Sequence, residues 1–210
     1  MFRKFLQLII VVPLFALGGV AMALEEPDYE VLLKTDEIEF RRYEPYLVAE
    51  VTVSGKSAGN EAFRVLAGYI FGNNDGDVKM QMTAPVESRD VANGEHVYQD
   101  YAFVMEKSYS LDSLPVPNDE RIRIRERPSR IVAVREFSGR WSEKNISRHQ
   151  QDLLDDLRSI GVEITGSPEL ARYNSPFTPW FLRRNEIVVP VSPASVNELA
   201  DIATGAPARL

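Results

Sequence analysis

The strongest constraint on the fold is a repeat. Residues 39–55, EFRRYEPYLVAEVTVSG, and 123–139, RIRERPSRIVAVREFSG, align without gaps, with identities at five of seventeen positions. Each copy reads as a strand, a turn holding a proline (Pro45, Pro128), and a second strand rich in Val and Ala that stops at Ser-Gly. Helical periodicity follows both copies. After the first it starts near Ser57 or Asn60 and runs to Phe71, with Phe63, Leu66, Ala67 and Ile70 at i, i+3, i+4, i+7, until Gly72-Asn73-Asn74 ends it. After the second, Ser142 opens a helix whose apolar stripe is Ile146, Leu153, Leu157 and Ile160, and Gly161 closes it. Shorter strand patterns cover 78–86, 97–106, 163–173 with a turn at Gly166-Ser167-Pro168, and 185–191, while a proline-rich loop at 110–120 joins the halves. A duplicated strand-strand-helix-strand unit that closes on itself gives an α+β fold, a distorted antiparallel β-barrel with two flanking helices.

The ends are different in kind. Arg3 and Lys4 precede an apolar run from Phe5 to Val20, and Ala21-Met22-Ala23 is an A-x-A cleavage site, so residues 1–23 read as a secretory signal and the protein as periplasmic or otherwise exported. Cleavage leaves no stable membrane anchor. The domain then spans 24–192, and 193–210 is a tail with a short helix at 194–202 and a partly disordered end. Loss of Arg3 and Lys4 moves the formal charge from -7 to -9, which disfavours nucleic acid as a partner because phosphate binding needs a basic stripe. There is no cysteine and there are two histidines, so neither disulfides nor a His/Cys metal site of three or four ligands can be assembled. His96 lies in a hairpin-turn context, and His149 lies beside the second helical stripe.

Two segments carry candidate chemistry. Met80 and Met82 alternate in Lys79-Met80-Gln81-Met82-Thr83-Ala84-Pro85-Val86, which places both thioethers on one face of an extended chain. Core packing is the simpler account of both, although soft thioethers also suit flat aromatic ligands and a methionine can ligate haem iron. The second segment runs from Tyr173 to Glu186, where four aromatics and two prolines lie within nine residues before Arg183-Arg184-Asn185-Glu186. Such a stiff apolar loop either buries itself or covers a cleft, with its arginines facing anionic groups of a ligand.

These two segments together resemble the K-M-x-M-T-A-P-V and Y-x-x-P-x-x-P-[YFW]-x-x-R-N-E-[VI] signatures of the SOUL haem-binding family, and Glu39-Phe40-Arg41-Arg42-Tyr43 is similar to one of its opening strands. The resemblance covers roughly residues 28–191. It implies a distorted antiparallel barrel of two pseudo-twofold related halves, akin to the gyrase-inhibitor-like fold, with haem or a related tetrapyrrole bound in an exposed apolar cleft beside the first helix. It also implies that Arg64, matching an arginine on that helix, approaches the porphyrin propionates. Three family positions depart: a loop lysine is Thr178 here, an axial histidine of one branch is Arg42, and the first helix is about a turn shorter, leaving no match for a second lysine. Iron coordination of the histidine type is therefore not expected.

The leading expectation is a non-redox binding protein for haem or another flat apolar molecule bearing carboxylates. Phe63, Ala67, Met80, Met82 and Trp180 would supply apolar contact, and Arg64 and Arg183 would meet the carboxylates. A hydrolase of the gyrase-inhibitor-like kind is the alternative, with Glu186 as pocket acid or base if burial raises its pKa. A third reading is a protein interaction module displaying the proline-rich loop and the tail.

Overall fold

The computed structural model describes residues 24–55, 57–93 and 96–204, and the signal-like segment, the side chain of His96 and the last six residues lie outside them. Among the described residues, nine strands form one antiparallel sheet: β1 (Tyr29–Lys34), β2 (Glu39–Tyr43), β3 (Tyr46–Val53), β4 (Val86–Asn93), β5 (His96–Val104), β6 (Arg123–Arg127), β7 (Arg130–Phe137), β8 (Glu169–Arg172) and β9 (Asn185–Pro190). Three helices, α1 (Ala58–Ile70), α2 (Glu143–Ser159) and α3 (Pro193–Thr204), complete it. The sheet order is β1-β2-β7-β9-β8-β4-β5-β3-β6. Leaving β1 aside, this order is symmetric about the β8-β4 pair, with β2, β3, β4 and β5 of one half answering β6, β7, β8 and β9 of the other.

Each repeat is split across the sheet. β2 and β3 are joined by the two residues Glu44-Pro45, yet β2 pairs with β7 and β3 pairs with β6. A two-residue turn cannot bridge a flat sheet of this width, so the sheet curls into a half-barrel that brings its margins together. The hydroxyl of Ser129, in the β6–β7 turn, donates to the carbonyl of Tyr43 at the end of β2 and pins the two turns at 2.9 Å. Both copies then leave the sheet through a left-handed glycine, Gly55 at φ +93° and Gly139 at φ +124°.

Curling gives the sheet an inside and an outside, and the strand alternation sorts side chains between them. Val48, Val132 and Val134 point inward and pack with Tyr43, Tyr46, Val104, Tyr173 and Val188. Ala49, Val51 and Val53 point outward beneath α1, with Leu66, Tyr69 and Ile70. Ala133 and Phe137 point outward beneath α2, with Leu153 and Leu157, and α3 joins that cluster through Val196. Burial of both faces explains why β3 and β7 are the near-continuous apolar runs noted in the repeat.

Three local expectations differ from what is observed. Residues 78–85 form no strand and lie outside the sheet, and β4 begins only at Val86. The buried face of α1 is Ala58, Ala62, Val65, Leu66, Tyr69 and Ile70 with Ala67 at its margin, so Phe63 is not in the stripe but 46% exposed beside it. Ile160 caps α2 and is exposed rather than packed, because Ile160 has already left the helix, which ends at Ser159.

Candidate functional site

α1 lies over β3 and β5, and α2 lies over β7 and β9. The two outer cores therefore stay separate, and between them runs a groove floored by β4 and β8, centred on the pseudo-twofold axis. Register fixes what lies along it. Phe103, Val86, Arg172, Asn185 and Phe137 are successive Cα partners across β5, β4, β8, β9 and β7, so all five share the outer face.

On the α1 side the wall is aromatic. Phe63 packs edge-on against Phe103 with ring centroids 5.5 Å apart, and the Tyr101 phenol fits under the first turn of the helix. That fit requires Gly59, where a Cβ would come within 2.9 Å of the Tyr101 oxygen. Here the helix gives up roughly 1 kcal/mol of propensity relative to alanine in return for close approach. Arg64 stands on the outer side of α1, exposed, and it makes no hydrogen bond or ion pair with the described residues. Ala67 is buried, Met80 is 6% exposed in the core beneath α1, and Met82 is partly buried against the same cluster.

The opposite wall is built by the residues leading into α2 and by the apolar loop between Tyr173 and Glu186. Trp141 donates from its indole N–H to Asn185 Oδ1 at 2.6 Å, and Asn185, fully buried, donates in turn to the Phe137 carbonyl. The loop is tied to this post twice, by the Gly139 amide donating to the Trp180 carbonyl and by Arg183 lying over the Trp141 ring at 4.2 Å. Arg183 also donates to the carbonyls of Thr178 and Pro176, at 2.9 and 2.7 Å. Its guanidinium thus braces the loop it belongs to. Trp180 is 48% exposed, and Phe177, Phe181 and Leu182 stand out beside it.

Between the walls is Arg172, which sequence reasoning did not single out. Its guanidinium carbon is 5.5 Å from the Tyr101 ring centroid and 5.4 Å from that of Trp141. A continuous line of contacts, Gly59–Tyr101–Arg172–Trp141–Arg183, thus crosses the groove from the first helix to the loop. Of the expected site residues, Phe63, Trp180 and Arg183 border this line, Arg64 stands above it, and Met80 and Ala67 are packed in the core. Tyr101, Trp141 and Arg172 come from separate parts of the chain and meet only through strand register.

The family model described as "SOUL heme-binding protein" matches residues 24–190. The chain belongs to the SOUL family. Mouse heme-binding protein 2 is 28% identical to this SOUL protein over 187 residues, which cover 80% of the chain and 91% of the mouse protein. Among solved structures, the C-terminal domain of EcmrR is similar with a TM-score of 0.58 at 12% identity, over 78% of the SOUL chain and 98% of that domain. A hydrolase from Listeria innocua matches with a TM-score of 0.56 at 12% identity, over 77% and 94% of the two chains. At such identity these two show a shared fold, the gyrase-inhibitor-like arrangement.

Glu186, the alternative catalytic residue, belongs to the other side of the sheet. It is fully buried on the inner face and accepts hydrogen bonds from Arg41 at 3.0 Å, from Arg184 at 2.9 Å and from the Tyr173 hydroxyl at 2.8 Å. Burial alone would lower the Arg41 pKa, but the Glu186 carboxylate more than offsets this and holds it raised. A carboxylate enclosed by two guanidiniums and a phenol has no free oxygen to turn toward a substrate. Two sizeable cavities also lie away from the groove. One, of about 450 Å³, is lined by Glu25, Glu26, Asp28, Glu44, Glu106 and Glu126 against Lys107, the wrong charge for a carboxylate ligand. The other, of about 340 Å³, lies between β1, β2, β7 and α2 beside His149, whose ring stacks on Phe137 at 4.3 Å. Among the described residues, no group of three or more His, Asp or Glu is placed to hold a metal ion.

Proposed function

We propose that this SOUL protein binds haem or a related tetrapyrrole non-covalently, without redox catalysis, in the open groove between α1 and the Trp180 loop. One observation carries the reading: the helix-free strip over β4 and β8 is rimmed by exposed Phe63 and Trp180, and the arginines around it lack carboxylate partners among the described residues in an acidic chain whose inner-face arginines are ion-paired. Inner-face arginines 41, 89, 127, 130 and 184 all form ion pairs with glutamate or aspartate. Arg64, Arg140, Arg172 and Arg183 form none among the described residues. A flat apolar ring with acidic edges complements such a surface, because the aromatic walls offer faces for stacking and the guanidiniums offer fork-like donors to carboxylates. The family membership and the likeness to mouse heme-binding protein 2 support the same ligand class.

His149 is stacked on Phe137, and the recognition proposed here works through shape, stacking and propionate charge and calls on no bond from His149 to iron. The reading includes export, on the strength of the signal-like first 23 residues, and N-terminal sequencing of the mature protein tests that part. Binding itself is tested by titrating residues 24–210 with hemin. A saturable shift of the Soret band at micromolar protein, weakened when Phe63 and Trp180 are both replaced by alanine, is the expected result. Absence of saturation, or a shift indifferent to that double substitution, overturns it.

A further inference from the structure

A guanidinium enclosed in protein normally has a carboxylate for company. Arg172 has none among the described residues, and its Nε–H is fully enclosed without a hydrogen-bond partner. Burial pulls its pKa down, opposed only by the Tyr101 side chain. Its neighbours are instead two π faces, Tyr101 on one side and Trp141 on the other. Aromatic faces attract and orient a cation while leaving its charge unneutralised, and beyond its interaction with the Tyr101 hydroxyl the guanidinium has in-plane donors left to give.

The contrast with the rest of the molecule is internal. On the inner face of the same strand pair, Glu169 is met by Arg130 through two bonds of 2.8 Å, and Asp100 is met by Arg89 at 2.9 Å. The chain has 31 acidic side chains with which to neutralise 24 basic ones, so carboxylates are not scarce. Around Arg172, Val86 and Ser88 occupy the adjacent β4 positions of the groove floor, and the wall residues are Tyr101, Trp141 and the buried amide of Asn185. Asn185 is itself committed to Trp141 and the Phe137 carbonyl, which fixes the ring on which Arg172 rests. An unpaired, partly exposed cation held between aromatic walls, one cross-strand step along the groove from the Ser88–Leu170 pair that straddles the pseudo-twofold axis, is a preorganised receptor for one carboxylate, since its desolvation is already met in the free protein.

We infer that Arg172 is the anchor for a carboxylate of a flat, apolar acid lying in the groove, while Arg183 only braces the loop and Arg64 meets the outer edge of the ligand. The inference rests on the tetrapyrrole reading for the identity of that acid, but the anchor can be tested apart from it. Protoporphyrin IX and its dimethyl ester share a ring and differ in free carboxylates. The full mature protein is expected to bind the free acid at least about tenfold more tightly than the ester, a difference of about 1.4 kcal/mol. Arg172→Gln is expected to erase that preference by weakening the acid alone, with ester binding and the melting temperature retained. Persistence of the preference in Arg172→Gln, or equal loss of both ligands, overturns the assignment. Should the wild-type protein bind neither porphyrin, the tetrapyrrole reading fails, and 2-naphthoate then decides the anchor: saturable quenching of tryptophan fluorescence that Arg172→Gln abolishes sustains it, and absence of quenching or indifference to the substitution sinks it as well.

Discussion

Glu87 and Glu169 show how one fold position acquires two chemistries. They are equivalent across the pseudo-twofold axis, Glu87 standing opposite Ala102 on β5 and Glu169 opposite Val188 on β9. Their partners, Tyr46 and Arg130, are equivalent too, each the first residue of the second strand of its repeat. The phenol of Tyr46 gives Glu87 a single hydrogen bond of 2.7 Å, and Glu87 Oε2 has no hydrogen-bond partner, only the Arg127 guanidinium at 3.7 Å. Burial, reinforced by the negative charge of Glu169, raises the Glu87 pKa; burial would do the same to Glu169, but the bonded Arg130 guanidinium overcomes it and holds that pKa low. The signs follow. The neutral Glu87 is favoured by folding, so its contribution is complete below the unfolded value near 4.3 and is lost, at up to about 1.4 kcal/mol per pH unit, as pH climbs to the folded pKa. Glu87→Gln mimics the neutral acid at every pH. Its stability relative to wild type is expected to rise between pH 5 and pH 8 in denaturant titrations, and a flat difference would contradict the raised pKa. Glu186 is the opposite case, since its two guanidinium partners would be stranded without it. Glu186→Ala is expected to cost about 3–5 kcal/mol in the same measurement, whereas a catalytic glutamate held in an open site would be removed at little cost or with a gain.

At the scale of elements, what the sequence revealed and what it hid have separate physical causes. Alternation places Met80 and Met82 in the same core cluster, but the strand it suggests over 78–86 does not form, because periodicity says nothing about whether a strand has neighbours. The backbone of this segment bonds instead to Ile70 and Glu25 carbonyls and to the Glu106 carboxylate, and the Thr83 hydroxyl to Val104. In α1 the core face is built largely from alanines and Tyr69, which the apolar pattern undervalued, and Phe63 was drawn into the stripe by its hydrophobicity. Its true position at the margin is more informative, because an aromatic ring left half outside borders the groove. Tyr101, Trp141 and Arg172 could not be read as a group, for no spacing in the chain links β5, the start of α2 and β8; only cross-strand register does. The Ser-Gly stops were legible, and they carry a prediction. At Gly139 a Cβ would lie 2.7 Å from Asn145 Nδ2, and the backbone is left-handed. Gly139→Ala is expected to lose about 1–3 kcal/mol of stability by denaturant unfolding and, because Gly139 holds the Trp180 carbonyl, to loosen the loop enough to change tryptophan emission.

For the whole molecule, the decisive property is that neither half keeps its own strands together. β2 is delivered to β7 and β6 to β3, while Leu114, beyond the first half, packs into the core under α1. Contacts so distant in sequence close large loops before they bring any reward, which slows folding and ties the two halves into one cooperative unit. Cutting the chain at the exposed Leu111–Asp112 bond should therefore yield fragments that show no cooperative unfolding alone by circular dichroism and recover it when mixed. Cooperative unfolding of either fragment by itself would show that the halves are independent. A chain of half this length, holding one copy of the repeat, could satisfy its leading strand only by lending it to a second copy and borrowing one back, which is the arrangement of an exchanged dimer. In that dimer the groove would have sat on a true axis with identical walls. Within one chain the two walls are free to differ, so that a single arginine, Arg172, can stand where a symmetric pair of chains would require either two or none.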